Sequence, residues 1–100
     1  MQAVVDAVNA ADTEAFVAAF APDGAVDDWG RVLRGHDGVR SWAATDAIGQ
    51  EARMTVLSAT TDGDVTTIEF DWRSNRFNGT STAIVTVDGD RVSSFRIPPH

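Results

Sequence analysis

Residues 5–29 read VDAVNAADTEAFVAAFAPDGAVDDW, and they give the strongest indication of the fold. Alanine and valine recur at helical spacing in its first part, Phe16 and Phe20 lie four residues apart in its middle, and two adjacent carboxylates end it. Such a sequence is typical of two short amphipathic helices that lead directly into a strand. The order predicts a small cone lined by helices, with a carboxylate near its mouth and a pocket inside.

The composition favours one small domain over residues 1–100, since 43% of the 100 residues are hydrophobic. A chain of this length buries roughly two-thirds of the surface that it exposes when unfolded, so its core is modest. Cysteine is absent, which excludes disulfides, thiolate metal sites and a cysteine nucleophile. We find neither a membrane-spanning run nor a signal sequence, and therefore expect a cytoplasmic protein that does not bind membranes.

Charge and motifs narrow the range of partners. The formal net charge is −7, and a surface of this sign repels phosphate backbones, so we expect no nucleic-acid partner. The sequence contains no glycine-rich phosphate loop, nucleotide fingerprint or nucleophile elbow, and no cofactor is expected. His36 and His100 are far apart and lack the spacing of metal ligands, so no metal site is expected.

The N-terminal half predicts three helices and one strand. Helical periodicity indicates a first helix over about residues 2–10, and Asp12 is a suitable N-cap for a second helix that includes Phe20. Pro22 and Gly24 end this second helix. After it we expect a short strand over residues 25–29, a break over 35–38, and a third helix that is capped by Asp37 and carries Val39, Trp42, Ala43 and Ala47.

The C-terminal half predicts four strands in consecutive hairpins, which form an antiparallel meander. We expect the strands over residues 52–60, 65–73, 80–87 and 91–97, with turns at Asp62-Gly63, Asn78-Gly79 and Asp88-Gly89. Helices followed by such a sheet give an α+β fold, a curved sheet wrapped around three N-terminal helices. Strand alternation places Ile68, Phe70 and Trp72 on the side that meets the helices. Residues 80–87 are partly apolar on both sides, which predicts a second subunit on the outer face, as in a homodimer.

The chain resembles the SnoaL-like and ketosteroid-isomerase-like branch of the nuclear transport factor 2-like superfamily, whose members fold as an α+β cone. The resemblance covers nearly the whole chain, and it rests on Asn9-Ala-Ala-Asp12, Phe16-Val-Ala-Ala-Phe20-Ala-Pro-Asp23, Val26-Asp-Asp28, Arg34-Gly35, Val39-Arg40, Asp88-Gly89-Asp-Arg91-Val92 and Phe95-Arg96. Because this fold hosts isomerases, cyclases, hydratases and binding domains, the resemblance identifies the fold better than the reaction.

The resemblance places Asp28 where ketosteroid isomerases hold the aspartate that moves the proton. In those enzymes the aspartate works beside an oxyanion hole of a tyrosine and a protonated aspartate. The corresponding positions here are Val4 and Ala83, and the chain has no tyrosine. Steroid isomerisation is therefore not expected, because an enolate would lack these donors.

Asp28 is the first candidate catalytic residue, because a carboxylate at the mouth of an apolar cavity is poorly solvated and suited to exchanging a proton. Alternation lets only one of Asp27 and Asp28 point inward. The alternative is a solvated carboxylate at a strand end. His36 is the second candidate, as an acid–base partner of Asp28, and its alternative is an exposed residue of a helix-capping segment.

The remaining candidates would form the pocket, and each has a structural alternative. Trp29 and Trp42 would stack on a planar ligand or fill the core. Arg96 would bind a ligand carboxylate or pair with Asp27 or Glu69. A further group would line the cavity or plug it, namely Phe16, Phe20, Ile68, Phe70, Trp72 and, from the resemblance, Ala83.

Two functions follow from these residues. The first is a small enzyme without cofactor, an isomerase, cyclase or lyase that acts on a small hydrophobic carbonyl or cyclic substrate through Asp28. The second is a domain that binds an apolar molecule, or mediates dimerisation, without catalysis. The missing tyrosine and second aspartate favour the second function, whereas the carboxylate at position 28 favours the first.

Overall fold

The computed structural model describes residues 1–99, which form three α-helices, one 3-10 helix and a six-stranded sheet. The helices are α1 (Gln2–Asn9), α2 (Thr13–Ala18), α3 (Gly35–Asp46) and the 3-10 helix (Ile48–Gln50). The strands are β1 (Phe20–Asp28), β2 (Arg31–Arg34), β3 (Arg53–Asp62), β4 (Val65–Arg73), β5 (Asn78–Asp88) and β6 (Arg91–Ile97). Among these residues no helix combines the length and the apolar character that crossing a membrane requires.

The strands form one curved, open sheet in the order β2-β1-β6-β5-β4-β3. Neighbouring strands are antiparallel except β1 and β6, which run parallel. The α-helices bury their apolar residues against one face of this sheet. The predicted α+β fold is therefore confirmed, with β1 and β2 added to the predicted meander.

The inner face of the sheet follows from strand register. Ile68 of β4 pairs with Ala83 of β5, and Val26 of β1 pairs with Phe95 of β6. These four side chains are at most 2% exposed, because the helices cover them. The alternation predicted for β4 is confirmed, since Ile68 and Phe70 are buried while the intervening Glu69 is exposed.

The second helix is shorter than predicted, and Phe20 belongs to β1 instead. Asp12 caps α2 as expected, accepting a hydrogen bond from the backbone N–H of Ala15. The predicted end signal lies inside β1, where the pairing with β6 shifts register between Phe20 and Ala25. A Cβ at Gly24 would lie 2.8 Å from the carbonyl oxygen of Val92, so only glycine allows the two strands to approach so closely here.

Strand β2 is absent from the sequence prediction. Trp29 and Gly30 both have positive φ, 56° and 87°, and form a two-residue turn that reverses the chain after β1. This turn places Arg31 opposite Asp28.

Two further boundaries were predicted wrongly. Helix α3 begins at Gly35 with Arg34 as its N-cap, so Asp37 lies in the first turn and is not the cap. The turn between β4 and β5 is formed by residues 74–77, where the Ser74 hydroxyl accepts hydrogen bonds from the backbone N–H groups of Arg76 and Phe77. Asn78 and Gly79 therefore lie in β5 and not in the turn.

Candidate functional site

A cavity of about 510 Å³ opens beside α3, the β1–β2 turn and the β4–β5 turn. Its aromatic lining consists of Trp29, Trp42, Phe70, Trp72 and Phe77. Its charged lining consists of Asp28, Arg31, Asp46 and Arg76. The cavity thus combines flat apolar walls with a few charged groups, the usual character of a small-molecule site.

Asp28 lies at the end of β1 on the inner face, paired with Ile97 of β6 and Arg31 of β2. Its Oδ2 accepts a hydrogen bond from the indole Nε1 of Trp42 at 3.1 Å, and Nη2 of Arg31 lies 3.7 Å from the same oxygen. Within residues 1–99, Oδ1 receives no hydrogen bond. The side chain is 24% exposed and lines the cavity, so the carboxylate is accessible to a small molecule there.

Asp27 faces the other side of the sheet, as strand alternation predicts. Its Oδ1 accepts the backbone N–H of Gly30 at 2.9 Å, which stabilises the β1–β2 turn. Its Oδ2 lies 3.8 Å from Nε of Arg96, its register partner on β6. Two neighbouring carboxylates therefore have separate surroundings, one in the cavity and one on the outer face.

Arg31 and Asp46 form an ion pair at the cavity wall that the sequence analysis did not identify. Nη2 of Arg31 donates to Oδ2 of Asp46 at 2.6 Å, and the Thr45 hydroxyl donates to Oδ1 of Asp46 at 2.6 Å. Asp46 is 8% exposed, and a buried carboxylate requires such partners to offset its lost hydration.

Two sequence signals indicate this pair in retrospect. The dipeptide Trp29-Gly30 has glycine where a two-residue hairpin turn needs positive φ, and such a turn sets Arg31 opposite Asp28. Trp42 and Asp46 are four residues apart on α3, so they share one face of the helix.

Trp42 separates the cavity from the packed interior. It is 3% exposed, and its ring lies 5.9 Å from that of Phe16, 6.1 Å from that of Trp72 and 6.3 Å from that of Phe95. Packing on several sides fixes the indole, so its N–H holds the Asp28 carboxylate in one orientation.

The structure places several predicted pocket residues in what we call the closed core, defined as Phe16, Phe20, Ile68 and Ala83. All four are 0% exposed, and none lines the cavity. Trp29, Trp42, Phe70 and Trp72 do line it. Arg96 lies on the outer face against Asp27, the ion pair that the sequence analysis gave as its alternative.

His36 lies in the first turn of α3, apart from the cavity lining. Its Nε2 donates a hydrogen bond to the carbonyl oxygen of Phe20 at 3.0 Å, because a carbonyl only accepts. The structure does not bring His36 into contact with Asp28, whose partners are Trp42 and Arg31. His100 lies outside the described residues, and within residues 1–99 no group of three histidine, aspartate or glutamate side chains is placed to hold a metal ion.

Comparison with known families identifies the family of this chain. Residues 1–96 match the family model described as the SnoaL-like domain. The chain belongs to this family. No curated protein matches the SnoaL-like chain at a significant level.

Three solved structures are similar to this SnoaL-like domain. A candidate polyketide cyclase from Sinorhizobium meliloti is 28% identical, with a TM-score of 0.82 over 94% of this chain and 88% of that chain. A protein of ketosteroid isomerase-like fold from Catenulispora acidiphila, in complex with trimethylamine, is 22% identical, with a TM-score of 0.82 over 98% and 82%.

The third is a Mycobacterium tuberculosis protein in complex with estradiol-17β-hemisuccinate, 16% identical, with a TM-score of 0.85 over 99% of this chain and 89% of that chain. At their identities, the second and third structures show the shared fold alone.

Proposed function

We propose that this SnoaL-like domain binds a small hydrophobic carbonyl or cyclic compound in its aromatic cavity and moves a proton on it through Asp28. The reaction would be an isomerisation, cyclisation or elimination that needs no cofactor. The observation that carries the proposal is the Asp28 carboxylate in the cavity wall, where Oδ2 is held by Trp42 and Oδ1 receives no hydrogen bond from residues 1–99. A base must reach the proton that it abstracts, and Oδ1 is the oxygen left to do so.

The cavity wall supports a planar, apolar substrate. Trp42 and Trp72 lie 6.1 Å apart at an interplanar angle of 47°, and Phe70 meets Trp72 nearly edge-on at 71°. Aromatic faces and edges of this kind pack well against fused rings. The similarity to a candidate polyketide cyclase and to a protein that holds a steroid ester supports the same class of compound.

A non-catalytic binding domain is the second candidate function. Val4 and Ala83, which the resemblance places where the isomerases hold oxyanion donors, are 1% and 0% exposed and lie among apolar side chains. A cavity that binds a ring compound through its aromatic walls needs neither donor. Under this alternative, Asp28 orients the ligand and transfers no proton.

The test uses β-tetralone, a bicyclic aromatic ketone with exchangeable α-protons. Every tryptophan of the chain, Trp29, Trp42 and Trp72, lines the cavity, so tryptophan fluorescence reports binding directly. Exchange of the α-protons in D₂O, followed by NMR, reports proton transfer. We expect the wild-type protein to show fluorescence quenching on binding and accelerated exchange.

Asp28→Asn is the decisive variant, and Asp27→Asn is its matched control one residue away. We expect Asp28→Asn to retain binding and to lower the exchange rate by roughly 100-fold or more. Asp27→Asn should keep both the binding of β-tetralone and the wild-type exchange rate, because Asp27 faces away from the cavity. Full exchange in Asp28→Asn would refute the catalytic role. Binding without exchange in the wild type would favour the second candidate, and no binding would contradict both.

His36 remains a predicted second acid–base group. Its Nε2 already donates to the Phe20 carbonyl, so the proposal depends on Asp28 alone. An exchange rate in His36→Gln equal to that of the wild type would remove His36 from the catalytic residues.

A homodimer and a cytoplasmic location complete the proposal. Thr82, Ile84 and Thr86 of β5 form a partly apolar strip on the outer face, in the middle of the sheet. A second copy that packs on this strip would exclude water from Ile84. Light scattering at micromolar concentration should give twice the 10.7 kDa chain mass, and a monomer mass would contradict the dimer. Cell fractionation tests the location.

A further inference from the structure

Proton removal next to a carbonyl leaves negative charge on the carbonyl oxygen, and this cavity must stabilise that charge. The chain has no tyrosine, and Val4 and Ala83 offer no side-chain donor. The charged donors in the cavity lining are Arg31 and Arg76. The guanidinium of Arg76 lies over the exposed Phe77 ring, 5.6 Å from its centroid, at the rim. Arg31 lies next to Asp28.

We propose that Arg31 binds the carbonyl oxygen of the substrate and stabilises the enolate, an inference that rests on the proton transfer proposed for Asp28. Arginine carries five N–H donors, and within residues 1–99 its guanidinium makes one hydrogen bond, from Nη2 to Asp46. The remaining N–H groups are available to a ligand. The side chain is 54% exposed and lines the same cavity as Asp28, so base and oxyanion donor are adjacent.

Asp46 positions Arg31 for this task. Nη2 of Arg31 lies 2.6 Å from Asp46 and 3.7 Å from Asp28, so its short ion pair is with the buried carboxylate. A short ion pair with Asp28 would instead occupy the base and the donor with each other. Thr45 donates to the other oxygen of Asp46, which fixes the carboxylate that holds the guanidinium.

The step balances within the site. Oδ1 of Asp28 takes a proton from the α-carbon, the C–H electron pair forms the C=C bond, and the C=O π pair moves onto oxygen. The enolate oxygen accepts hydrogen bonds from Arg31. Asp28 becomes neutral as the substrate becomes anionic, so the total charge around Arg31 is unchanged. Return of the proton from Asp28 to another carbon completes an isomerisation.

The first experiment measures α-proton exchange of β-tetralone. Arg31→Met should lower the exchange rate by roughly 100-fold, the usual effect of losing an oxyanion donor, while fluorescence still reports binding. Arg34→Met is the matched control, because Arg34 is an exposed arginine of the same strand that pairs with Ala25 and lies outside the cavity lining. In this variant the α-protons of β-tetralone should exchange at the wild-type rate.

The second experiment measures ionisation of 2-naphthol, a stable mimic of the enol of β-tetralone, by its ultraviolet absorption. It uses the Asp28→Asn background, since asparagine has the charge of the protonated aspartate that follows proton removal. Bound 2-naphthol should have a lowered pKa in Asp28→Asn, and addition of Arg31→Met should abolish that shift. Arg31→Lys should retain part of it, because the positive charge remains.

Asp46→Asn tests the positioning role in the same background. It keeps the guanidinium but weakens its anchor, so the pKa shift of bound 2-naphthol should become smaller while naphthalene binding is unchanged. A purely structural role of Asp46 would lower the binding of both compounds together.

The proposal for Arg31 is overturned if Arg31→Met exchanges at the wild-type rate, or if bound 2-naphthol ionises equally with and without Arg31. Failure of the proposed function has a different signature, namely exchange that persists in Asp28→Asn. Should Arg31→Met fail to fold, Arg31→Lys and Asp46→Asn decide the question, since unchanged ionisation in both would exclude the role.

Discussion

Two positions on β5 show how one sheet face serves two purposes. Ala83 and Ser81 are two residues apart and point to the same side, opposite Ile68 and Phe70 of β4. Ala83 belongs to the closed core and is 0% exposed, whereas Ser81 lines the cavity. The strand alternation is identical at both positions. What differs is the cover, because the space above Ala83 is closed by the packed core and the space above Ser81 is open to the cavity.

Burial of a side chain and access of a ligand therefore depend on what packs above the strand and not on the strand pattern itself. Phe16 and Phe20, with ring centroids 5.3 Å apart, fill the closed core. At the cavity, the lining from α3 consists of Trp42 and Asp46. Two predictions test this contrast, and a third provides a baseline away from both regions.

Removing one phenylalanine in each region should separate the stabilities of the variants most. Phe16→Ala should lower the free energy of unfolding by about 3–5 kcal/mol, because it leaves an unfilled space in the closed core. Phe77→Ala, the matched change at the cavity rim, should alter it by no more than about 0.5 kcal/mol, since Phe77 is 58% exposed. Urea denaturation measures both. Equal losses of unfolding free energy in the two variants would contradict the distinction between the two regions.

Enlarging one side chain in each region should change the free energy of unfolding by an intermediate amount, again with the greater loss in the closed core. Ala83→Leu should destabilise the fold by roughly 1–3 kcal/mol, because the closed core has no room for the larger side chain. Ser81→Leu has the cavity of about 510 Å³ beside it, so it should preserve stability and weaken the binding of β-tetralone. If Ser81→Leu destabilises as much as Ala83→Leu, the cavity is not available space.

The smallest effect concerns a surface ion pair that lies away from both regions and serves as a baseline. The Arg40 guanidinium, through its hydrogen bond and its charge, holds the pKa of Glu14 below its ordinary value. A lowered carboxylate pKa stabilises the fold above the pKa of the unfolded chain, and this contribution fades as the pH falls below about 4. Glu14→Gln should therefore lower Tm slightly at pH 7 and lower it less near pH 3.

Arg40→Gln should reproduce that small loss, because either substitution removes the pair. A difference that persists undiminished at pH 3 would show that the effect of Glu14 does not come from its charge. The side chains of Glu14 and Arg40 are both exposed at the surface, so salt should also weaken the effect.

Local patterns predicted most of the fold. Val65–Arg73 and Arg91–Ile97 have the bounds that alternation and turn residues indicate, and Gly63 and Gly89 adopt the positive φ that their turns need. The boundary between α2 and β1 was harder to predict, because Pro22 and Gly24 are typical of a helix end. Their actual position in an irregular part of β1 depends on β6, about 70 residues away, which no local pattern specifies.

The candidate site was predicted in part. Strand alternation and the resemblance led to Asp28, and the structure places it in a cavity wall. Arg31 and Asp46 were missed because their importance comes from a contact across two elements that are 15 residues apart. Phe16 and Trp42 are both buried aromatic residues, and only packing decides that one fills the core while the other meets the cavity.

The indole of Trp42 has a consequence for how this protein can change over evolution. One side of the ring contacts Phe16 in the closed core, and its N–H holds the carboxylate of Asp28. A replacement that repacks the interior around Phe16 therefore also shifts the carboxylate. New specificities would arise more readily at Phe77 and Ser81, which line the ligand space without sharing that double attachment.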